Sequence, residues 1–281
     1  MLCRAPIHLV RQFSTSSCQF NVHKRTDNRS KSRVTVGDEF KLTDGRKIRF
    51  EIADNEDVEL IVQDAVEGFV THNNLLRCLD ATHADIEPLL RKLIEPAVPA
   101  GGTVFAICDG NIAGLRVMSI YPRDQIVARF GPLPQPSVAP KAKFPKDFGE
   151  MVAAAPYDNF KTKQIHAFIH SLYDQLAQFL PADVNQLGFG EVLRIHGSFM
   201  DFGVAKAIYE VSEKLAREKG CDVMANVTTT RASTNIFALR KNFTAKYCLP
   251  YSKFVVNGDR PFLHPYDKCY GATINVGNLK L

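Results

Sequence analysis

The sequence predicts an α/β chain of the α+β kind, with strands and helices sharing one body, on three observations. Residues 46–70 pass directly from period-two alternation to helical spacing. Residues 103–121 hold two apolar runs joined by Asp109-Gly110-Asn111, the composition of a tight hairpin turn. Residues 189–227 read as strand, glycine-containing turn, amphipathic helix, strand. Apolar residues make up 45% of the chain and charged ones 23%, enough for a buried core under a charged surface.

In order along the chain, residues 46–53 alternate apolar and polar and read as a strand. Asp54 and Asn55 are helix-capping types. Over 57–70, Val58, Ile61, Val62, Ala65, Val66 and Phe69 then recur at helical spacing. A second helix is predicted over 84–94, stopped by Pro96. Gly101 and Gly102 open a strand over 103–108, the turn reverses the chain, and a strand follows over 112–121. The stretch 122–145, with prolines at 132, 134, 136, 140 and 145, predicts a loop. Ile165, Phe168, Ile169, Leu172, Leu176 and Phe179 form a helical stripe over 157–180, ended by Pro181. Strands over 189–195, 221–227, 245–251 and 272–281, and helices over 203–220 and 233–241, complete the pattern. The helix over 203–220 has the clearest division of faces. Val204, Ala207, Ile208, Val211 and Leu215 oppose Lys206, Glu210, Glu213, Lys214, Arg217 and Glu218, and Gly220 supplies the C-cap.

The formal charge of +5 is unevenly placed. Residues 1–36 hold seven Lys and Arg against one acid, Asp27, so this segment carries +6 and the remainder is nearly neutral at about −1. A neutral body lacks the basic surface that nucleic-acid binding needs, and no nucleic-acid partner is expected. The acid-free, Arg- and Ser-rich start, with Ile7, Leu9, Val10, Phe13 and Phe20 interspersed, has the composition of a mitochondrial transit peptide. Arg11-Gln12-Phe13-Ser14-Thr15-Ser16 resembles the Arg-x-Phe-x-x-Ser pattern before such cleavage sites, which places cleavage near Phe20–Asn21. The expected organisation is therefore an import sequence and loose lead-in over 1–36, addressed to the mitochondrial matrix. The folded domain is expected over 46–281, with a loop–helix insertion at about 122–185. No apolar run approaches the roughly 18 residues that span a bilayer, so no membrane span is expected. Seven cysteines without a C-x-x-C pair predict buried, reduced thiols rather than a disulfide framework or a zinc site.

The segment over 189–220 carries the chemistry. Backbone N–H groups at a helix start lack partners, and the helix dipole adds positive potential, so a glycine-opened helix can cradle a pyrophosphate. Gly203 and the small Ala205 permit close approach of an anion to the backbone, although the same residues also suit a plain strand–helix junction. Ile195-His196-Gly197-Ser198-Phe199-Met200-Asp201-Phe202-Gly203-Val204-Ala205 resembles the central acetyl-CoA motif of the GNAT superfamily of N-acetyltransferases. Residues 48–57 resemble that family's first strand and helix start. Residues 222–227, 230–243 and 246–251 resemble the carboxyl half of its arylalkylamine N-acetyltransferase-like branch.

This resemblance implies a single domain with a central, mixed, mostly antiparallel sheet flanked by helices, its middle strands parted to admit acetyl-CoA as co-substrate. It implies that the strand at Leu193 and Ile195 pairs its backbone with the pantetheine arm. Main-chain N–H groups from Asp201 through Gly203, Val204, Ala205 and Lys206 would wrap the pyrophosphate. A small amine acceptor would enter from the far side and attack the thioester directly, with none of the cysteines acting as a nucleophile. At the family's Arg/Gln position stands Met200, followed by Asp201 and Phe202, and the end of the first helix (Phe69–Leu75) carries no acid. Two residues are candidates for moving the amine proton. Glu191 shares a face with Leu193 if the strand is regular, and otherwise reads as a solvent-facing strand residue. His72, at the end of the first helix, titrates near neutral pH, or is a plain surface histidine. His196 reads as a turn residue, and one of Thr229, Thr230 and Ser233 as a helix cap. Two function classes stay open: an active acetyltransferase, and a degenerate module of the same fold that binds a ligand or partner without turnover.

Overall fold

Alternating side chains along a strand point to opposite faces, so segments with one apolar face assemble edge to edge and bury that face under helices. The protein, seen as a computed structural model that describes residues 32–135 and 138–280, does this with eight strands. In chain order they are β1 (Phe40–Lys41), β2 (Lys47–Ile52), β3 (Val104–Cys108), β4 (Asn111–Pro122), β5 (Gln186–Ile195), β6 (Val223–Thr228), β7 (Phe243–Pro250) and β8 (Gly271–Asn278). The helices are α1 (Val58–His72), α2 (Asn74–Cys78), α3 (His83–Ala97), α4 (Arg123–Phe130), α5 (Gly149–Ala154), α6 (Phe160–Tyr173), α7 (Val204–Glu218) and α8 (Arg231–Ala238). The strands lie side by side in the order β1-β2-β3-β4-β5-β6-β8-β7. Each neighbouring pair is antiparallel except β5 and β6, which run parallel. Parallel neighbours need a crossover, and α7 provides it.

Two apolar layers hold the sheet. On one face α1, α3 and α6 bury Ile61, Val62, Leu90, Ile94, Phe168 and Leu172 against Phe105, Leu115, Val117 and Phe189. On the other, α7 sets Val204, Ala207, Ile208 and Leu215 over Ile48, Phe50, Val104 and Ala106, the stripe legible in the sequence. Each large side chain so buried contributes roughly 1.5–3 kcal/mol. Beside α7, Tyr209, Phe237 and Phe243 close a smaller cluster that anchors α8.

Several expectations are corrected. The proline-rich stretch 122–145 is not all loop, because α4 occupies Arg123–Phe130 and buries Ile126 and Phe130. Pro122 precedes the first helical residue, where a missing N–H costs nothing, and the helix ends at Gly131 (φ +87°) before the other prolines begin. Helix α3 runs past the predicted stop and includes Pro96 in its last turn. Helix α6 ends at Tyr173, short of the predicted 180, and is followed by a 3-10 turn at Ala177–Phe179. The lead-in is tied down where it meets β2: the Val36 N–H donates to the Phe50 carbonyl and the Ile52 N–H to that of Val34, each at 2.9 Å. There the buried Arg33 guanidinium pairs with Asp57 at 2.6 Å and Glu51 at 3.3 Å. The import sequence expected before the cleavage point near Phe20–Asn21 lies outside the described residues. Among the described residues the cysteines are free thiols. Cys108, Cys221 and Cys269 are buried, Cys78 is half-buried, and Cys248 is exposed, contrary to the expectation of uniform burial. No helix among the described residues is long and apolar enough to cross a membrane.

The β7–β8 edge rests on a backbone contact. Gly271 lies so close to the Leu249 carbonyl that an added Cβ would overlap it, and backbone cannot move aside as a side chain can. Gly271→Ala should therefore cost about 1–3 kcal/mol. In a chain of this size that lowers Tm by roughly 3–10 °C. An unchanged melting curve would mean that β7 and β8 do not pair in this register.

Candidate active site

The two parallel strands part company midway. β5 and β6 pair from Leu187–Val223 to Gly190–Asn226 and no further. Beyond that point β6 keeps only β8 as a neighbour and β5 keeps only β4. At the parting point β5 carries one extra residue: Met118 opposes Gly190 and Val117 opposes Val192, leaving Glu191 in a bulge. A bulge raises the local twist and swings the strand aside. From Glu191 to Ile195 the edge turned toward β6 therefore has no strand partner among the described residues, and its backbone groups are available to a ligand.

The bulge also corrects the expected position of Glu191. In a regular strand Glu191 would share the face of Leu193. In the structure Leu193 and Ile195 pack with the α7 layer, whereas Phe189 and Val192 point into the α1–α3–α6 layer. Glu191 turns to that second layer, where its Oε1 accepts hydrogen bonds from Ser119 Oγ at 2.9 Å and Tyr121 Oη at 3.1 Å. Its Oε2 is sealed from solvent and has no hydrogen-bond partner among the described residues. Burial pushes the carboxyl up to about 7, against the opposing pull of Ser119, Arg129, Tyr121 and Tyr173. A carboxyl that titrates near neutrality in a cleft is poised to accept a proton.

On the other side of the opening, α7 begins at Gly203, which holds φ +80° and leaves the helix without a side-chain cap. The N–H groups of Val204, Ala205 and Lys206 belong to the first turn and have no intrahelical partner. Asp201 does not cap α7. It is exposed, at φ +65°, one turn of chain earlier. His196 is a turn residue as expected: its Nδ1 accepts from the Ser198 N–H at 3.3 Å and lies 2.8 Å from the Ser198 hydroxyl.

One cavity of about 730 Å³ joins these features. Glu191, Leu193 and Ile195 line it from β5. Asp201, Gly203, Val204, Ala205 and Lys206 line it from the start of α7, and His72 from the end of α1. The sequence-predicted residues thus converge on one space. Toward α1, α3 and α6 its wall is apolar, built from Phe69, Leu75, Leu89, Leu93, Ile165 and Ile169. His72 is half-buried, and its pKa is lowered by burial, then by Arg194 and Arg77, which keeps the ring neutral. The corner after α1 is tied across the cavity mouth, because Asn73 Nδ2 donates to Thr229 Oγ1 at 3.3 Å and Asn74 Nδ2 to the Thr229 carbonyl at 2.9 Å. Thr230 and Ser233 form the capping box of α8, so their hydroxyls are committed to the helix start. Sequence reasoning does not find Ser119, Tyr121 or Tyr173. They lie about 70 and 20 residues from Glu191, and only the period-two face of β4 hints that Ser119 and Tyr121 act together.

No protein-family model matches the sequence, and no curated protein matches it. Solved structures do. A putative arylalkylamine N-acetyltransferase 7 from the yellow fever mosquito Aedes aegypti superposes with a TM-score of 0.64 at 14% identity, over 88% of this chain and 96% of that one. Arylalkylamine N-acetyltransferase 2 from the same mosquito gives 0.61 at 18%, over 83% and 99%. A Drosophila melanogaster polyamine N-acetyltransferase, which catalyses formation of N-acetylagmatine, gives 0.58 at 11%, over 82% and 99%. At these identities the likeness establishes the fold, which is that of the GNAT N-acetyltransferases.

The raised pKa of Glu191 has a consequence for stability. Its ordinary value is 4.5 and its folded value about 7, so the folded state holds the proton more tightly. This linkage favours folding fully below pH about 4.5 and is lost as pH rises through about 7. Glu191→Gln, neutral at every pH, should melt with the wild type near pH 4 and above it by several degrees near pH 8. A difference in Tm that stays constant from pH 4 to 8 would place the carboxyl in water.

Proposed function

We propose that this chain is an acetyl-CoA-dependent N-acetyltransferase that acetylates a small amine carrying an apolar body. The observation that carries the reading is the parting of β5 and β6 at Glu191. It sets an unpaired strand edge and an uncapped helix start on one side of a cavity, and a buried carboxyl against an apolar wall on the other.

The residues present suit the co-substrate. The N–H groups of Val204, Ala205 and Lys206, with the positive end of the α7 dipole, match a pyrophosphate. The edge from Glu191 to Ile195 offers alternating donors and acceptors to an amide-bearing pantetheine arm, as a sheet edge does to an added strand. Acetyl-CoA supplies an activated acyl group as its thioester. The chain's own contribution is position and proton handling. The β5 edge orients the acyl carbonyl and lends backbone N–H groups to the charge that develops on its oxygen. The apolar wall from α1, α3 and α6 seats the acceptor's body and excludes water around its nitrogen. Glu191 accepts the proton that the ammonium must lose, and a value near 7 leaves a large fraction of it as carboxylate at neutral pH. Seated neutral at the end of α1, His72 offers the proton a route onward to solvent. The basic, acid-free start of the sequence supports the mitochondrial matrix as the site of action.

One observation favours the second reading, a module that binds without turnover. Asp201 sets a carboxylate on the cavity wall beside the pyrophosphate cradle. Calorimetric titration with acetyl-CoA, followed by thiol-release assays across a panel of amines, decides between the two. Wild type should bind acetyl-CoA and release thiol. A left-handed glycine replaced by a β-branched residue is strained by roughly 1–3 kcal/mol, so Gly203→Val should weaken acetyl-CoA at least about tenfold while the rest of the fold survives. Glu191→Gln should keep the affinity and lose both most of kcat and its rise through pH 7. Binding with no thiol release over a broad panel supports the module instead, and no binding removes the reading.

A further inference from the structure

Arg116, in the middle of β4, lines the cavity and has no role so far. It is 2% exposed and faces the α7 layer, opposite to the face on which Glu191 lies. Its Nε and Nη2 are sealed from solvent and donate to nothing among the described residues. The guanidinium lies 4.3 Å from the centroid of the Tyr209 ring and fills the space left by the absent side chain of Gly190. The charged groups around it do not neutralise it. Arg240 stacks on the same ring at 4.7 Å, and the nearby carboxylate, Glu213, is taken by Arg240, by Arg217 at 2.8 Å and by Asn242 at 2.8 Å. From β6, Asn226 contributes a neutral amide. A buried cation with unmet donors costs several kcal/mol unless an anion arrives.

Position identifies that anion. The cradle at Val204–Lys206 lies next to the Ile195 end of the open β5 edge, and the parting point at Gly190 lies at the other. The edge between Ile195 and Glu191 is roughly 13 Å long. A coenzyme held by its pyrophosphate at the first end brings its sulfur to the second, where Arg116 meets the cavity. We propose that Arg116 binds the coenzyme A thiolate and so stabilises the leaving group of the transfer. This rests on the acetyltransferase reading given above. In the step, the ammonium's first proton has already passed from Glu191 through His72 to solvent; the amine lone pair then forms the C–N bond, the C–S bond breaks with its electron pair passing to sulfur, and the second N–H proton goes to the Glu191 carboxylate so regenerated. Arg116 holds the sulfur anion on one face of the sheet while Glu191 takes the proton on the other.

The test is the titration of coenzyme A thiol bound to the full-length protein. It is followed by thiolate ultraviolet absorbance, with protein bound to desulfo-coenzyme A as the blank for the chain's own thiols and tyrosines. A cation in contact lowers an acid's titration by roughly one to three pH units. The bound thiol should therefore ionise that far below free coenzyme A, Arg116→Lys should keep part of the effect, and Arg116→Met should abolish it. A structural role predicts instead that Arg116→Met lowers Tm; removal of an unpaired buried charge should leave Tm unchanged or raise it. Coenzyme A that binds to wild type with its thiol titrating as in water overturns the assignment of Arg116 and leaves the acetyltransferase reading standing. Failure of coenzyme A to bind overturns both. Because the wild-type titration alone separates these outcomes, the test stands even if Arg116→Met does not fold.

Discussion

One extra residue in one strand governs the rest of the site. Without Glu191 in its bulge, β5 would continue in register beside β6, and the sheet would close where the cavity now lies. The bulge also shifts the side-chain alternation. Before it, Phe189 faces the α1–α3–α6 layer; after it, Val192 faces the same way and Leu193 and Ile195 face α7. A one-residue change of register exchanges the faces of every later side chain. The bulge therefore opens the sheet, frees a backbone edge and turns Leu193 and Ile195 away from the face that Glu191 shares with Phe189.

The same position concentrates unmet polarity. Glu191 carries a carboxyl pushed up to about 7 on one face of the sheet, and Arg116 carries on the other a guanidinium whose Nε and Nη2 are unbonded among the described residues. Each is unfavourable in the resting fold, since burial disfavours charge and leaves donors without acceptors. They do not neutralise each other: Glu191 is bonded to Ser119 and Tyr121, and Arg116 lies against Tyr209. A folded chain tolerates two such groups at one point when the surrounding core is large, as it is here with fully buried Phe105, Phe130, Phe168 and Phe189. On the acetyltransferase reading proposed above, the arrangement suits a reaction that delivers a proton to one face and a negative charge to the other.

Local pattern makes most of the fold legible. The hairpin at Asp109–Asn111, the helix start after Asp54 and the divided faces of α7 each rest on neighbouring residues, and each is found where the pattern puts it. What the pattern misses comes from distant contacts. Helix α4 is hidden because its eight residues bury only Ile126 and Phe130, and Phe130 packs against Tyr121, Tyr173 and Phe189 elsewhere in the chain. At the site, the cradle and the β5 strand are readable because both lie within one short segment. The bulge is not, since an extra residue shows only against the strand it pairs with. For that reason the sequence points to Glu191 but not to its face or its partners, and Arg116 looks like an ordinary residue of an alternating strand.

Asp201 shows how backbone geometry can override charge. The chain between Phe199 and α7 passes through two left-handed residues, Asp201 at φ +65° and Gly203 at φ +80°. Aspartate and asparagine are the side-chain-bearing residues that best accept that conformation, because their short polar groups bond locally. Arginine or lysine at 201 would carry a favourable charge but a longer stem in an unfavourable backbone region. The carboxylate is exposed, so water and salt reduce its repulsion of a pyrophosphate. At about 7 Å and an effective dielectric near 80, that repulsion is roughly 0.6 kcal/mol per unit charge. A left-handed conformation costs a poorly suited residue roughly 1–2 kcal/mol. The comparison favours aspartate at this turn: a residue that destabilises the turn would misplace the N–H groups of Val204, Ala205 and Lys206, which on the reading proposed above hold the pyrophosphate.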